Sequence, residues 1–176
     1  MTNGKPGIQI DIPGFGKLDL RVLVTDYTGT HACGGTLVNG ARERLRKLAE
    51  LLDIVVLTSD TFGTVAREFV GIPHELRLLK GERHDKQKQQ FIHDLQKLAG
   101  SGPRLAGNRI AAMGNGRNDA LMLHAVRNGG GVAVAVDNGE GCAVEALTHA
   151  NIFVHGSVAA LDLLLDPRRL TATLRS

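Results

Sequence analysis

The chain has 176 residues, of which 43% are hydrophobic and 22% charged, so it fits one globular domain and is neither disordered nor fibrous. Its net charge is +3, but the basic residues are scattered and only 3% are aromatic, so we expect no nucleic-acid partner. No apolar run approaches the roughly 18 residues of a membrane span, and the polar first residues lack the apolar core that is typical of a signal peptide. The two cysteines, Cys33 and Cys142, are far apart in sequence and lack the spacing of zinc ligands, which fits a reduced compartment. We therefore expect a cytoplasmic protein, and without a long apolar run we expect no membrane partner.

The first predicted elements are a β-hairpin and a buried strand. Apolar and polar residues alternate from Ile8 to Ile12, a Pro-Gly-Phe-Gly turn follows, and alternation resumes from Leu18 to Leu20. We expect the second arm of this hairpin to continue into the apolar run at 22–24, because such a run is typical of a strand that is covered on both faces.

Strands and helices then alternate to the end of the chain. Further strands are predicted at 54–57, 76–79, 109–113, 132–136 and 152–154. Helices are predicted at 41–52 with Asn39 as N-cap, in a short segment that Asp60 caps and that ends near Gly71, at 85–98, from Asn118 to the glycine run at 128–131, at 140–147, and from Pro167, after a segment at 158–165. Such alternation predicts a Rossmann-like three-layer α/β fold with a mostly parallel sheet of five or six strands. We expect residues 1–176 to form a single domain.

Polar residues follow three of the apolar runs and mark a candidate site. They are Asp26, Thr28 and Gly29 after the first run, Thr58 and Ser59 after the second, and Asn115, Asn118 and Asp119 after the third. Ligands bind beyond the carboxyl ends of strands in an open parallel sheet, so these groups should converge. The oxygens of Asp26, Asn115 and Asp119 suit Mg²⁺, and Lys86 or Lys88 could supply a cation for phosphoryl oxygens.

Two of these segments resemble motifs of a known family. The sequence DYTGT at 26–30 resembles the first motif of the haloacid dehalogenase superfamily, and GNGRNDALML at 114–123 resembles its fourth, usually GDGxND. The closest likeness is to the phosphorylation domain of P-type ATPases, whose first motif is DKTGT, and to small soluble proteins that resemble this domain alone. The resemblance extends from about Arg21 to Arg175.

The resemblance implies a magnesium-dependent phosphohydrolase that forms an aspartyl-phosphate. It implies that Asp26 is the nucleophile and that the Thr28 carbonyl faces the metal beside Asp26, with Asn115 and Asp119 completing the metal site. Thr58 would contact a phosphoryl oxygen, and Lys88, with Lys86 as the alternative, would neutralise charge. The residues implied to lie near the substrate phosphate are Gly29, Ser59 and Asn118. In this scheme the carboxylate attacks phosphorus and water later hydrolyses the covalent intermediate.

Two departures from the family pattern affect this interpretation. Thr28 replaces a second Asp and cannot act as general acid or base, a function that typically contributes on the order of a hundred- to ten-thousandfold in rate. Asn115 replaces another Asp, which removes a negative charge and weakens magnesium binding. A slow or non-enzymatic phosphate-sensing module on the same fold is therefore the alternative function.

Spacing bears on the substrate and the partners. The segments between Asp26 and Thr58 and between Thr58 and Lys88 have room for a helix and a strand each, so we expect no cap domain and no ATP-binding insertion. An uncapped site suggests either a large substrate or a homo-oligomer in which another subunit covers the site, with the N-terminal hairpin as a candidate contact. The expected partner is a phosphorylated substrate, which could be a small molecule or a protein.

Several candidate residues also have structural interpretations. Thr58 and Ser59 are compatible with a side-chain turn, and Asn118 is compatible with a helix N-cap. Lysines on a charged helix commonly lie on its solvated face. His31 lies near Asp26 in sequence, and we expect it to be a polar surface residue.

Overall fold

The computed structural model describes residues 4–97 and 109–176. The strands are β1 (Ile8–Ile12), β2 (Gly16–Leu20), β3 (Val22–Thr25), β4 (Ala32–Cys33), β5 (Thr36–Leu37), β6 (Asp53–Thr58), β7 (Glu75–Leu78), β8 (Ile110–Gly114), β9 (Val132–Asp137) and β10 (Ile152–His155). The helices are α1 (Ala41–Leu51), α2 (Val65–Glu68), α3 (His84–Lys97), α4 (Ala120–Asn128), α5 (Val144–His149), α6 (Ser157–Leu165) and α7 (Pro167–Leu174), with a 3₁₀ turn at Arg117–Asp119 before α4.

A six-stranded parallel sheet forms the centre, in the order β10-β9-β8-β3-β6-β7. The residues of β3 and β8 are all buried, which agrees with their continuous apolar sequences. Thr25, the last residue of β3, pairs with Val56 of β6 and Met113 of β8. The predicted parallel sheet is confirmed, and its central strands end side by side at one edge.

Helices cover both faces of this sheet, as the predicted three-layer fold requires. One face packs against α1, α6 and α7 through residues such as Leu45, Leu161 and Leu170. The other packs against α3, α4 and α5 through residues such as Ile92 and Leu123. Among the described residues, every helix is too short or too polar to span a membrane.

The N-terminal hairpin is confirmed as a separate two-stranded antiparallel sheet, with Ile8 opposite Leu20. The expected continuation of its second arm into β3 is wrong, because the backbone changes partners at Arg21. Arg21 N–H donates to the carbonyl of Arg109, and its own carbonyl accepts from Asp53 N–H. The hairpin packs against the end of the chain, where Ser176 N–H donates to the Pro13 carbonyl.

Two predicted helix starts are wrong. The N-cap of α1 is Gly40 rather than Asn39, and its φ of 85° is a conformation that favours glycine. Asn118 does not start α4, because the chain first makes the 3₁₀ turn, and α4 begins at Ala120. Both errors arise where the backbone turns tightly before the helix, so the cap residue that the sequence suggests lies outside the first helical turn.

Two further helix predictions need correction. The helix predicted at 140–147 begins at Val144, because Asp137 Oδ1 accepts hydrogen bonds from the N–H groups of Gly139 and Gly141 and folds this segment into a turn. The predicted capping of the second helix by Asp60 is confirmed, since the Asp60 carboxylate accepts from the N–H groups of Thr64 and Val65, but the helix is confined to α2 and ends before Gly71. The predicted end of α3 at residue 98 lies outside the described residues.

Candidate active site

Three strand ends carry the candidate residues to one edge of the sheet. Asp26 directly follows β3, Thr58 is the last residue of β6, and Gly114 is the last residue of β8. Asp26 N–H donates to the Met113 carbonyl at 3.0 Å, which fixes the start of the Asp26 loop against β8. Because the strands are parallel and adjacent, the segments that follow them meet in space.

Lys88 joins two of these segments at the centre of the site. Its Nζ lies 2.7 Å from Asp26 Oδ1 and 2.6 Å from Asp119 Oδ1. Lys88 and Asp119 are fully buried, and Asp26 is 6% exposed. Lys86, one of the two lysines considered from sequence, is exposed on the same helix. The structure therefore brings Lys88, and not Lys86, into contact with Asp26.

The ionisation of this cluster is governed by burial and by its own charges. Burial raises the pKa of Asp26 to about 6, with Asp119 adding to the shift and Lys88 opposing it. Burial alone would lower the pKa of Lys88, but the two carboxylates outweigh this effect and raise it. Lys88 consequently keeps its positive charge at neutral pH and partly compensates the two acids.

Asp119 shapes the loop that follows β8. Its Oδ2 accepts hydrogen bonds from the backbone N–H groups of Asn115, at 3.1 Å, and Gly116, at 2.9 Å. A Cβ on Gly114 would lie 2.5 Å from the Asp119 Cβ, so glycine is needed for this close approach. With its two oxygens bonded to Lys88 and to the loop backbone, Asp119 positions the residues around it.

Thr30 connects Asp26 with Asn115 and was missed by the sequence reasoning, although it is the last residue of DYTGT. Its buried Oγ1 lies 3.5 Å from Asp26 Oδ2 and 3.2 Å from Asn115 Oδ1. Gly29 has a φ of 78°, and a Cβ on it would lie 2.4 Å from Asn115 Nδ2. The Asp26 loop and the Asn115 loop are therefore in direct contact, with two oxygens at the point where they meet.

The donor atoms here fit a magnesium ion. Mg²⁺ is usually held by one or two carboxylates together with other oxygens and water. Asp26 Oδ2 and Asn115 Oδ1 are brought together by Thr30, and the Thr28 carbonyl belongs to the same loop as Asp26. Across residues 4–97 and 109–176, no group of three or more His, Cys, Asp or Glu side chains is arranged to hold a metal. Carboxylate, amide and carbonyl oxygens are donors that suit Mg²⁺.

The remaining predicted residues lie around this centre with different surroundings. Thr28 Oγ1 is buried and has no hydrogen-bond partner within the described chain. Thr58 is buried and its Oγ1 accepts from Asp60 N–H, so it forms the side-chain turn that was the structural interpretation. Ser59 is exposed. Asn118 is partly exposed within the 3₁₀ turn.

The expectation that His31 is a surface residue is wrong, because its side chain is completely buried. Nε2 lies 2.9 Å from Thr25 Oγ1, and Nδ1 lies 2.6 Å from Ser157 Oγ at the start of α6. Thr25 Oγ1 donates to the Asp26 carbonyl, so it accepts from His31 Nε2–H, and Ser157 donates to Nδ1. Burial lowers the pKa of His31 to about 3, so the ring is neutral. No pattern in the surrounding sequence signals this role.

A short hairpin of β4 and β5 was not predicted and adjoins the site. Gly34 N–H donates to Glu140 Oε1 at 2.8 Å, and Asn138 Nδ2 donates to the Ala32 carbonyl at 2.9 Å. The Tyr27 hydroxyl donates to the Gly35 carbonyl at 2.7 Å. The hairpin is therefore tied both to the loop after β9 and to the residue next to Asp26.

Comparison with known proteins identifies relatives of the fold. No protein-family model matches the chain. An uncharacterized protein of Methanocaldococcus jannaschii is 32% identical over 94 residues, which are 53% of this chain and 94% of that protein.

Two solved structures are similar at lower identity. The 3-deoxy-D-manno-octulosonate 8-phosphate phosphatase of Moraxella catarrhalis, in complex with magnesium, phosphate and a KDO molecule, has a TM-score of 0.58 at 14% identity, covering 83% of this chain and 86% of that one. The catalytic domain of the CPx-ATPase CopB-B has a TM-score of 0.50 at 21% identity, covering 80% of this chain and 46% of that one. The chain therefore belongs to one sequence family with the Methanocaldococcus protein, and its fold is that of the haloacid dehalogenase superfamily hydrolases and the P-type ATPase catalytic domain.

Proposed function

We propose that the chain is a magnesium-dependent phosphohydrolase that acts through an aspartyl-phosphate on Asp26. The observation that carries this proposal is the buried Lys88, whose Nζ bridges Asp26 and Asp119 at the carboxyl edge of the sheet. Burying three ionisable groups costs desolvation free energy unless their charges compensate one another or bind a ligand, and such clusters are typical of functional sites. The structural similarity to a phosphatase bound to magnesium and phosphate supports the same proposal.

The proposed chemistry has two displacements at phosphorus. In the first, an Asp26 carboxylate oxygen bonds to phosphorus as the bond to the substrate oxygen breaks, and the departing alkoxide takes a proton from water. In the second, a water molecule attacks phosphorus, releases inorganic phosphate and restores the carboxylate. Lys88 holds Asp26 by Oδ1 and so fixes the orientation of the carboxylate, with Oδ2 on the side of Thr30.

Asp26, Asn115 and the Thr28 carbonyl would hold the metal ion. Asp119, which the resemblance places in the metal site, would instead fix the loop that carries Asn115, because its oxygens are bonded to Lys88 and to the loop backbone. When bound, Mg²⁺ supplies positive charge to the phosphoryl oxygens as their charge spreads in the transition state. Lys88 supplies a second positive charge from the opposite side of Asp26. Because Thr28 offers no acid or base, we expect slow turnover, and faster reaction for phosphoesters whose leaving group needs no proton.

Hydrolysis of p-nitrophenyl phosphate tests the proposal, since p-nitrophenolate leaves without protonation. We expect phosphate release that requires Mg²⁺, stops with EDTA and is abolished in Asp26→Asn. The matched control is Asp162→Asn, which changes an aspartate paired with Arg44 away from the site and should leave the rate within about twofold. Full activity in Asp26→Asn would overturn the mechanism.

A second candidate function is a phosphate-sensing module with little or no turnover. Asn115 favours it, because an amide where a carboxylate is usual leaves the metal site with less negative charge. Fluoroberyllate mimics an aspartyl-phosphate, so with Mg²⁺ it should raise the melting temperature under either function. If it does so while a panel of phosphoesters is not hydrolysed, the sensing module is correct and the phosphohydrolase is not.

A further inference from the structure

His31 lies at the centre of a buried chain of hydrogen bonds beneath the Asp26 loop. Its Nδ1 lies 2.6 Å from Ser157 Oγ at the start of α6, and its Nε2 lies 2.9 Å from Thr25 Oγ1 at the end of β3. Thr25 Oγ1 in turn lies 2.9 Å from the Asp26 carbonyl oxygen. The residues Thr25, His31 and Ser157 are each at most 1% exposed. The chain therefore connects α6 with the backbone of the proposed nucleophile through the interior of the protein.

The direction of these hydrogen bonds follows from the groups that make them. The Thr25 hydroxyl has one proton, and the carbonyls of Asp26 and Met113, at 2.9 and 3.4 Å, both accept. Thr25 Oγ1 therefore accepts from His31, so Nε2 is the ring nitrogen that carries the proton. A neutral imidazole has a single N–H, which leaves Nδ1 to accept from the Ser157 hydroxyl. One tautomer of His31 thus satisfies all three side chains.

The chain of hydrogen bonds anchors the peptide group that follows Asp26. Asp26 N–H donates to the end of β8, and the Thr25 hydroxyl holds the Asp26 carbonyl, so both backbone polar groups of Asp26 are bonded. His31 N–H also donates to the Tyr27 carbonyl at 2.9 Å, which closes the next turn of the loop. Because a peptide unit is planar, these bonds restrict the backbone dihedrals from which the Asp26 carboxylate projects.

The imidazole contributes direction more than stability. A buried hydrogen bond adds little net free energy to folding, because the same groups bond to water in the unfolded chain. An apolar side chain of similar volume could fill the space between β3 and α6, but it could not fix where the Thr25 hydroxyl points. With the His31 N–H on the Thr25 oxygen, the hydroxyl proton is directed away from the ring and towards the Asp26 carbonyl.

We propose that His31 is a positioning residue for the nucleophile, which acts through Thr25 to set the orientation of the Asp26 peptide group and so places the carboxylate for attack on phosphorus. This inference rests on the proposed phosphohydrolase function. His31 itself touches neither substrate nor metal ion. Misplacing a reacting group by about 1 Å can cost on the order of a hundredfold in rate, so a loss of this positioning is measurable.

Steady-state hydrolysis of p-nitrophenyl phosphate at saturating Mg²⁺ tests this role. His31→Leu keeps a side chain of similar volume and removes both of its hydrogen bonds. We expect kcat to fall by about tenfold or more and KM to change by less than about threefold, since Lys88, on α3, is outside the chain and still binds the phosphate. His155→Leu is the matched control at an exposed histidine and should leave both constants unchanged. An unchanged kcat in His31→Leu would overturn the inference.

Two conservative variants separate positioning from packing. The amide of a glutamine reaches the place of Nε2 and can donate to Thr25, whereas the amide of an asparagine reaches only the place of Nδ1, next to Ser157. We therefore expect His31→Gln to keep kcat within about threefold of the wild type and His31→Asn to lose as much as His31→Leu. Equal kcat values in the glutamine and asparagine variants would show that His31 does not act through Thr25.

The two hydroxyls that bond the ring provide a graded test. Thr25→Val replaces the hydroxyl with a methyl group and should lower kcat as much as His31→Leu, with no further loss in the double variant. Ser157→Ala breaks the bond at the far end of the ring, so it should lower the melting temperature but cost less in kcat. If the losses of His31→Leu and Thr25→Val add in full, the two residues act independently and the proposed chain is wrong.

Nitrogen-15 NMR of the histidine rings gives a readout that is independent of turnover. The His31 ring, assigned by the loss of its signals in His31→Gln, should have a protonated Nε2 and an unprotonated Nδ1. With Mg²⁺, fluoroberyllate should shift these signals in the wild type and not in Asp26→Asn, because it would bond to the Asp26 carboxylate. A protonated Nδ1 would mean that Thr25 donates to the ring rather than to the Asp26 carbonyl, and would overturn the inference.

The outcomes distinguish this inference from the function on which it rests. Hydrolysis that neither His31→Leu nor Thr25→Val impairs would overturn the positioning role and leave the phosphohydrolase standing. If the wild type binds fluoroberyllate but hydrolyses no phosphoester, the phosphohydrolase is overturned, and the rise in melting temperature with fluoroberyllate decides the positioning role. A smaller rise in His31→Leu than in the wild type would support that role, and an equal rise would contradict it.

Discussion

At the scale of single residues, Lys88 determines the state of the site. A lysine with no exposed surface keeps its charge only if nearby acids compensate the loss of hydration, and Asp26 and Asp119 do so within 2.7 Å. The same contact keeps the two carboxylates, which would otherwise repel each other, in one cluster. The lysine is therefore part of the stability of the fold as well as of the proposed chemistry.

Lys88→Ala should lower the free energy of unfolding by about 3–5 kcal/mol at pH 7, because it leaves two buried carboxylates without a cation. The loss should be smaller at pH 5, where protonation can replace the missing charge at Asp26, whose pKa is already about 6 with the lysine present. Urea unfolding in metal-free buffer at both pH values measures this. The control is Lys86→Ala, an exposed lysine of the same helix, and an equal loss in both variants would refute the argument.

Asn115→Asp should tighten magnesium binding by about tenfold or more, because it adds a negative charge next to Asp26. Isothermal titration with MgCl₂ measures the dissociation constant. Asn118→Asp adds the same charge within the neighbouring 3₁₀ turn and should have a weaker effect. If both variants tighten binding equally, position 115 does not contact the ion.

At the scale of elements, the turn after β3 depends on a glycine that touches the opposite loop. Gly29→Ala should cost more than the roughly 1–2 kcal/mol of a left-handed backbone, since its Cβ would also collide with Asn115 Nδ2. Gly34→Ala has a positive φ as well but open space around it, so it isolates the backbone cost. Thermal unfolding and p-nitrophenyl phosphate hydrolysis should both be impaired more in Gly29→Ala, and identical behaviour would exclude the steric contact.

His31 links the end of β3 to α6, and its neutral ring predicts an acid dependence of stability. Burial lowers its pKa from the usual 6.5 to about 3, so between these values the unfolded chain binds a proton that the folded chain does not. Stability therefore falls as pH decreases through this range, by up to about 1.4 kcal/mol per pH unit from this group.

His31→Gln should remove that one-proton contribution, so the slope of unfolding free energy against pH between 4 and 6 should be less steep than in the wild type. Denaturant unfolding at several pH values measures the slope. His155→Gln, at an exposed histidine, should not reduce it. A slope unchanged by His31→Gln would show that the ring is not neutral in the folded chain.

The order of strands and helices, and the convergence of the segments after β3, β6 and β8, could be predicted from sequence, whereas the individual side-chain contacts between these segments could not. Continuous apolar runs mark buried strands such as β3 and β8 because their side chains are covered on both faces. The placement of Thr30 between two loops, and of His31 under α6, depends on how distant segments pack. No local pattern encodes such contacts, and the residues around His31 in the sequence do not distinguish it from an exposed histidine.

The errors at helix starts have a related cause. A polar residue before an apolar periodic segment predicts an N-cap, but Asn39 precedes the left-handed residue Gly40, and Asn118 lies within the 3₁₀ turn before α4. Asp60 caps α2 from several residues away, at a φ of 50° that an aspartate tolerates better than most side chains. Cap geometry therefore depends on turn conformation, which the residue type alone does not determine.

At the scale of the whole molecule, the site rests on the most deeply buried part of the fold. β3 and β8 contribute to both cores, with Leu23 on one face of the sheet and Val24 on the other. Elements with this degree of burial open only in global unfolding, whereas loops open locally. The carboxylate of Asp26 is thereby attached to a rigid base, while the β4–β5 hairpin beside it is held by a few hydrogen bonds.

The contact between α7 and the N-terminal hairpin has a mechanical consequence. Leu18 and Leu20 of the hairpin belong to the same core as Leu170 of α7, and the Ser176 N–H reaches the hairpin turn at Pro13. Detaching α7 would expose the apolar residues of the hairpin that it covers. Force applied at residue 176 should therefore release α7 and the hairpin together, while β3, β8 and the Asp26 loop stay folded. The first and last elements thus form one unit that can detach while the Asp26 site stays folded.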